Sequence, residues 1–168
     1  MAVVTTKSTL VQNFEADPPT LNAARVQRGR LRASVATVEV AAADDDGSKY
    51  VLMPIHSSWR IQHIWLYNDA ITGGTAYDVG LYETAANGGA TVDDDVYATA
   101  MDLSSARAAS PADAAFEARD IANVANQVWQ DAGQTSDPAK FYNLVLTADT
   151  VGTAAGTVTV QVEFVENG

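Results

Sequence analysis

The sequence has no cysteine and no apolar run that approaches the length of about 18 residues typical of a membrane-spanning helix. The absence of cysteine excludes disulfide bonds, thiolate metal sites and thiol catalysis. Residues 1–19 contain one lysine and no apolar block long enough for a signal peptide. We therefore expect a soluble protein that is synthesised in a cytoplasm and does not contact a membrane.

The common catalytic motifs are also missing: there is no G-x-S-x-G, no H-E-x-x-H and no phosphate-binding G-x-x-x-x-G-K-[ST]. The two histidines are His56 and His63. His63 alternates with Ile61 and Trp65, which predicts a hydrogen-bonded structural histidine. We therefore predict that the protein is not an enzyme, and we assign no catalytic residue and no cofactor.

Positive charge is scarce and unevenly placed. Ten lysines and arginines stand against 21 acidic residues, giving a formal net charge of -11 and a pI near 4.3. Residues 1–35 carry five positive and two negative charges, a net of +3, whereas the rest carries five positive and 19 negative. Such an acidic body repels phosphates, which argues against nucleic-acid binding. The segment ARVQRGRLRAS holds four of the ten basic residues, at Arg25, Arg28, Arg30 and Arg32.

We interpret residues 1–33 as an extended basic N-terminal arm, with one short helix around Leu21–Gln27. Pro18 and Pro19 disfavour helix before them, and the apolar residues have no sustained period. Such an arm can be frayed, lie on its own acidic body, bind nucleic acid, or dock on another chain, although four arginines without interleaved aromatics are a weak signal for nucleic acid. Arginine suits docking because its planar guanidinium pairs with carboxylates in a bidentate manner. The predicted partner-binding residues are Leu10, Val11, Phe14, Leu21, Arg25, Arg28, Arg30 and Arg32.

Residues 34–168 are predicted to form a β-sandwich body. Short segments with alternating polarity are separated by turns rich in glycine, alanine and aspartate, which is typical of antiparallel sandwiches. A helix is expected from Ser110 and Pro111 to Gly133, with a break near Arg119 and Asp120. The fold class is therefore all-β, a jelly-roll-like antiparallel sandwich with one helical insertion. The predicted strands are 34–41, 49–55, 60–69, 76–83, 95–103, 141–149 and 157–165.

Two acidic runs, Asp44–Asp46 and Asp93–Asp95, leave a calcium site open because clustered carboxylates are suitable ligands. Neither run has the spacing of an EF-hand loop, and consecutive aspartates in turns are usually solvated. A glycosidase pair of carboxylates from distant strands also stays open, although the sequence singles out no two acids. The tryptophans Trp59, Trp65 and Trp129 are either core residues or a sugar-stacking platform, and Trp59 is the one expected to be exposed.

Residues 49–106 and 127–165 resemble small structural proteins encoded beside the major capsid protein of tailed bacteriophages, several of which are capsid decoration, or cement, proteins. The resemblance spans roughly residues 35–166. It rests on the pattern of strands and turns in two segments, LYNDAITGGTAYDVGLYETAANGG and VGTAAGT. It carries no catalytic motif, and the N-terminal arm lies outside it.

The resemblance implies a virion structural protein on the capsid exterior that oligomerises, commonly as a homotrimer at threefold positions. Its partner would be the major capsid protein, and it would bridge neighbouring subunits against the pressure of packed DNA without touching DNA or a membrane. The basic arm would then pair with acidic groups on the shell or on a neighbouring copy.

An alternative is a carbohydrate- or receptor-binding module of a phage tail. It requires an exposed aromatic cluster, for which the candidates are Trp59, Tyr67, Tyr77 and Tyr82. A hydrolase would require two carboxylates about 5–9 Å apart in a deep cleft.

Overall fold

The computed structural model describes residues 4–166, which form two four-stranded antiparallel sheets. Single short helical turns lie in the connections between strands. The strands are β1 (Arg30–Val40), β2 (Lys49–His56), β3 (Arg60–Asn68), β4 (Ala76–Glu83), β5 (Thr91–Met101), β6 (Ala112–Asp113), β7 (Phe141–Thr150) and β8 (Gly156–Glu166). The helices are α1 (Thr9–Glu15) and α2 (Val128–Asp131), with 3-10 turns at Ala85–Asn87, Ala114–Phe116 and Ile121–Asn123.

The strand order is β1-β8-β3-β6 in one sheet and β2-β7-β4-β5 in the other. Every pairing is antiparallel, and consecutive strands alternate between the sheets except for β4 and β5, which pair directly. This arrangement is that of an eight-stranded jelly roll. The predicted all-β sandwich is confirmed.

The core lies between the sheets and follows the period-two pattern of the strands. In β8, Val158, Val160 and Val162 are fully buried, while Thr159 and Gln161 between them are half-buried. From the opposite sheet, Val79 and Leu81 of β4 are also fully buried. Each such side chain contributes about 1.5–3 kcal/mol relative to an exposed one. The sequence alternation therefore identified the inward faces of both strands.

The pairing between β4 and β5 is interrupted at Gly80. Val79 lies opposite Ala98, but Leu81 lies opposite Asp93, so β5 bulges outward between these pairs. A Cβ at Gly80 would lie 2.2 Å from the carbonyl carbon of Asp94. The backbone of β5 approaches Gly80 so closely that no larger residue fits under the bulge.

The helix expected from Ser110 to Gly133, with a break near Arg119 and Asp120, is wrong. The chain instead pairs briefly with β3 as β6 and then makes two 3-10 turns before the single turn of α2. Asp113 explains the departure, because its carboxylate accepts hydrogen bonds from the backbone N–H groups of Ile64 (3.1 Å) and Ala115 (3.0 Å). This local bonding competes with helix formation at the predicted start. The helical insertion is present only as these short turns.

The outer face of β3 carries aromatic side chains that are half-buried. His63 Nδ1 lies 2.6 Å from an oxygen of Asp113, and the His63 ring stacks on Trp65 with centroids 4.9 Å apart. The prediction that His63 is a hydrogen-bonded structural histidine is confirmed. Its partner Asp113 comes from the insertion, so the histidine helps to hold β6 against β3.

The start of the body differs from the sequence expectation. β1 begins at Arg30 instead of Ser34, because Arg30 and Arg32 already lie in register with Glu166 and Phe164 of β8. The helix expected around Leu21–Gln27 is a turn, and the helix of this region is α1, whose N-cap Ser8 accepts from Val11 N–H. In residues 4–166, none of the helices has the length and apolar character needed to cross a membrane.

Candidate interaction surface

Residues 4–29, called the arm below, lie before β1 and fold back on themselves. The Thr20 N–H donates to the Asn13 carbonyl (2.9 Å). The Asn13 amide donates to Asn22 Oδ1 (2.6 Å), and the Asn22 amide donates to Gln27 Oε1 (2.9 Å). These bonds link α1 to the turn that precedes β1. The arm is therefore not extended throughout, because side-chain amides close it into a loop.

The apolar residues of the arm are mostly on its surface. Helix α1 has no buried residue. Phe14 is 75% exposed and Leu21 is 94% exposed, whereas Val11 is less exposed and Leu10 is half-buried. Phe14 and Leu21 line a shallow groove of about 230 Å³ together with Arg28. The arm thus presents two large apolar side chains to solvent beside a cation.

The arm is fixed to the body at its last residues, 24–29, which are called the root below. Arg60 of β3 donates from Nε to the carbonyl oxygen of Arg25 at 2.8 Å. Gly29 approaches β8 so closely that a Cβ there would lie 2.3 Å from Val165 Cγ1 and 2.8 Å from the Ala24 carbonyl oxygen. Sequence reasoning missed this contact, although a glycine between arginines is the kind of signal that marks a close approach. The root is consequently held against the ends of β3 and β8.

Three of the predicted arginines surround a second groove at this junction. Arg28, Arg30 and Arg32 line a space of about 400 Å³ with Glu166. Arg32 Nε lies 2.9 Å from the Glu166 carboxylate, but both side chains are substantially exposed, and such pairs contribute about 0–1 kcal/mol. The guanidinium groups therefore remain accessible to other carboxylates.

The two grooves meet at Arg28, which lines both. The structure thus brings Phe14, Leu21 and the arginines 28, 30 and 32 onto one surface, called the arm surface below. Leu10, Val11 and Arg25 line neither groove. Arg25 is half-buried, and within residues 4–166 its Nε has no hydrogen-bond partner.

The first acidic run is part of the turn between β1 and β2. The Asp44 carboxylate accepts from the Ala41 N–H and from the Tyr50 hydroxyl, both at 2.8 Å. These two hydrogen bonds, the backbone one first, lower the pKa of Asp44. The Asp46 carboxylate accepts from the Val151 N–H at 2.9 Å. Asp44 and Asp46 therefore hold the turn together.

The second acidic run lies on the β5 bulge. Carboxylate oxygens of Asp93, Asp94 and Asp95 all lie within 4.8 Å of one another. Desolvation, followed by the side-chain hydrogen bond with Asp95, raises the pKa of Asp93. The run borders a polar recess whose buried side contains Arg119 and Asp131, 3.2 Å apart. Exposed carboxylates of this kind are commonly solvated, and the cluster receives no functional assignment.

The aromatic platform required by a sugar-binding module is not formed by the predicted residues. Tyr77 is fully buried and its hydroxyl donates to the Val151 carbonyl at 2.6 Å. Tyr82 is buried as well, with its hydroxyl 3.0 Å from that of Thr147. Trp59 is half-buried and stacks on Phe164 with ring centroids 4.0 Å apart, so the exposure expected for it is only partial. The four candidate rings do not share a solvent-facing surface.

Comparison with protein-family models gave no match. Comparison with curated protein sequences gave no match either. Among solved structures, a chain of the cyanophage Pam1 capsid asymmetric unit is similar, with 14% sequence identity and a TM-score of 0.48. The match covers 82% of this chain and 86% of that one. A likeness at this level assigns no function to the present chain.

Proposed function

We propose that the protein is a structural component of a bacteriophage particle that attaches to the capsid shell through its arm surface. The observation that carries this proposal is the exposure of Phe14 and Leu21 beside Arg28, outside a sandwich whose own core is buried. The resemblance of residues 35–166 to capsid decoration proteins supports a capsid shell as the partner. The body would then be a rigid decoration, and the arm its anchor.

The arm surface supplies two kinds of attraction. Burying Phe14 and Leu21 on a partner would contribute about 1.5–3 kcal/mol for each side chain. Arg28, Arg30 and Arg32 would pair with carboxylates of the partner, and bidentate pairing fixes orientation as well as adding energy. Immobilising these side chains costs part of the gain. A single arm therefore binds modestly, and several arms in one oligomer bind with high effective concentration.

The division of charge supports attachment by the arm alone. Residues 1–35 are net positive and the rest of the chain is strongly negative. A body with this charge is repelled by DNA and stays soluble before assembly. We therefore place the body on the outside of the shell, with the basic arm against an acidic patch of the major capsid protein.

Bridging of neighbouring capsid subunits is the stabilising action that this arrangement suits. A bridge requires at least two arms in one oligomer, each on a different subunit. The homotrimer implied by the resemblance would provide three. Such an oligomer would oppose separation of the subunits that it spans, because release requires all arms to detach together.

The test is binding of the purified protein to particles of its own phage that lack the protein. The variant Phe14→Ser with Leu21→Ser should reduce co-sedimentation at sub-saturating concentration by at least about tenfold, since two apolar contacts are lost. The matched control is Ile121→Ser, which changes an apolar residue that is 80% exposed on the body and should leave binding unchanged. Equal occupancy of the double variant and the wild type would refute attachment through the arm surface.

Charge is tested separately with Arg28→Ala, Arg30→Ala and Arg32→Ala in one chain. This variant should bind more weakly, and its residual binding should depend less on salt than that of the wild type. Arg107→Ala is the control, because Arg107 lies outside the arm and donates to the Asp102 carbonyl oxygen. An unchanged salt dependence of binding would show that the three arginines do not contact the partner.

A further inference from the structure

Within residues 4–166, four of the ten lysines and arginines form an ion pair with a carboxylate, and Arg25 and Arg60 are not among them. Both side chains are half-buried, in a chain that has 21 acidic residues. A cation that loses water without gaining a counter-charge is unfavourable. The two arginines therefore mark a place where the described chain supplies no counter-charge.

Arg60 is held in a fixed orientation at the start of β3. Its Nε donates to the Arg25 carbonyl oxygen at 2.8 Å. Its Nη1 donates to Gln62 Oε1 at 2.7 Å and to the Val124 carbonyl oxygen at 3.3 Å. All three acceptors are neutral, so they orient the guanidinium without balancing its charge. Its Nη2 makes no hydrogen bond to residues 4–166 and remains available to a partner.

Arg25 lies beside Arg60 and is satisfied even less. Its Nε is buried without a hydrogen-bond partner in residues 4–166, and its Nη groups bond to none of these residues either. A buried N–H without an acceptor costs the desolvation of that group. Because the charge of a guanidinium is delocalised, an anion bound at the Nη groups would also compensate the buried end.

The positive charges of this region are close enough to affect one another. Burial, followed by the charges of Arg119 and Arg25, lowers the pKa of the Arg60 guanidinium. Arg119 has its own carboxylate, because Asp131 lies 3.2 Å away. Arg25 and Arg60 share no such group, so their repulsion persists in the folded protein. A negative charge bound between them would relieve it.

We propose that Arg25 and Arg60 form a binding site for one carboxylate of a partner protein, called the root site below. The Nη groups of the two arginines would donate to the carboxylate oxygens, and such charge-assisted hydrogen bonds are shorter and stronger than neutral ones. Gln62 adds a donor, since its Oε1 accepts from Arg60 and its amide nitrogen has no acceptor in the described chain. Because Arg60 is already held by three bonds, little side-chain entropy is lost when the carboxylate binds.

The surroundings of the root site favour a protein side chain over a nucleic-acid phosphate. Two adjoining valines are partly exposed, Val26 at 39% and Val124 at 41%. Val26 follows Arg25 in the chain, and Val124 supplies a carbonyl oxygen that holds Arg60. An aspartate or glutamate next to an apolar residue matches this combination. A polyanion would instead meet the 19 acidic residues that follow residue 35.

The root site is separate from the arm surface, because none of its three donors lines either groove. It rests on the proposed function only for the source of the carboxylate, which is the capsid shell. Its affinity for a carboxylate can therefore be measured without phage particles.

The first test follows the arginine Nε–H signals of the full-length protein by nuclear magnetic resonance. Sodium chloride is exchanged for sodium acetate up to about 0.5 M, so that ionic strength stays constant. The Arg25 and Arg60 signals should shift along a saturating curve, whereas the Arg107 signal should not, since that guanidinium already donates to the Asp102 carbonyl oxygen. Absence of these shifts would overturn the root site. Larger shifts with single-stranded DNA than with acetate would assign the two arginines to a nucleic acid instead.

Arg25→Gln removes one charge and leaves the bond from Arg60 to the backbone carbonyl of residue 25 in place. It should abolish the acetate response of Arg60 and weaken binding to phage particles by at least about tenfold, because one member of a charge pair is lost. Arg25→Lys, which keeps the charge, should restore part of this binding. Arg107→Gln is the matched control, since it changes the net charge equally and should bind particles like the wild type.

Stability separates a binding role from a structural one. If the root site is correct, Arg25→Gln in the free protein should be at least as stable toward urea as Arg107→Gln, because the repulsion at Arg60 is relieved. A clear loss of stability in Arg25→Gln would show that this arginine supports the fold and would contradict the proposal.

Failure of the root site and failure of the proposed function give different results. Particle binding that is lost in Phe14→Ser with Leu21→Ser but unchanged in Arg25→Gln would exclude the root site and leave the arm surface intact. A wild type that does not bind particles, but whose Arg25 and Arg60 bind acetate, would exclude the capsid shell as partner and support the root site.

Discussion

The buried ion pair between Arg119 and Asp131 explains much of the path between β5 and β7. Both side chains are almost fully buried, and the Asp131 carboxylate also lies 3.3 Å from the Tyr97 hydroxyl. Arg119 donates to the carbonyl oxygens of Ile61 (3.3 Å) and Asn123 (2.7 Å), which ties the insertion to β3. Removing either charge would leave the other buried without its partner, which is strongly destabilising. Arg119 thus ties this segment to the body in addition to the apolar contacts that Ala114, Ala115 and Val128 make in the core.

Gly80→Ala tests the closest backbone approach in the sandwich. The new methyl group would meet the backbone of Asp93 and Asp94, which cannot move aside like a flexible side chain. We expect a loss of at least about 2 kcal/mol in unfolding free energy, measured by urea denaturation. Gly133→Ala is the control: it has a φ of 69° and open space around it, so only about 1 kcal/mol should be lost. Equal losses would show that β5 does not press on Gly80.

At the scale of elements, the contacts between the root of the arm and the body determine where the arm lies. Gly29→Ala would push the chain away from Val165 and from the Ala24 carbonyl. We expect faster tryptic cleavage at Arg25 and Arg28, with the unfolding midpoint of the sandwich changed little, because the clash with Val165 is relieved when the arm moves off the body. Gly47→Ala, in the β1–β2 turn with open space around it, should leave the cleavage rate as in the wild type. An unchanged rate in the Gly29 variant would mean that the root is not held there.

Strands in which polar and apolar residues alternate clearly were predictable from the sequence. Elements whose formation depends on contacts with residues far away in the sequence were not. The alternation in β8 identified its inward residues, because a half-buried strand must place apolar side chains on one face. The expected helix after Ser110 failed because the bonds of Asp113 to β3 override a helical apolar spacing. The start of β1 was placed late because Arg30 and Arg32 are exposed and show no inward pattern. Their membership of the strand depends on β8, which is far away in sequence.

The arm surface was predictable in composition but not in geometry. The cluster of arginines and the scattered apolar residues are visible in the sequence. Which of them come together depends on the amide bonds among Asn13, Asn22 and Gln27. Such side-chain networks have no periodic signature, so Arg28 could not be identified as the residue shared by both grooves.

For the whole molecule, we expect stability to rise on mild acidification. Burial is the first cause of a raised pKa at Asp78 and Asp93. An acid whose pKa is higher in the folded than in the unfolded state favours folding once protonated. The unfolding free energy should therefore increase as pH falls from 7 toward the ordinary aspartate pKa of 3.8. Relief of the net negative charge acts in the same direction. Urea denaturation at pH 7, 6 and 5 measures the effect.

Asp78→Asn should flatten this rise, because the amide oxygen can still accept from the Ala100 N–H while no proton is taken up. Asp102→Asn is the control. Hydrogen bonds to Ser104 lower the Asp102 pKa, so the titration of that group lies below the range of pH 5 to 7. A stability that falls between pH 7 and 5, or an unaltered slope in Asp78→Asn, would contradict the assignment.

The pairing of β1 with β8 also determines how early the β1-β8-β3-β6 sheet can form during translation. Among the described strands, β1 comes first in the chain, yet its ladder partner β8 comes last. β2 likewise waits for β7, and the one substantial ladder between consecutive strands is β4 with β5. Topologies of this kind fold slowly, because the entropic cost of closing long loops comes before the stabilising contacts between strands can form. The arm can therefore be held against β8 only after β8 itself has emerged from the ribosome.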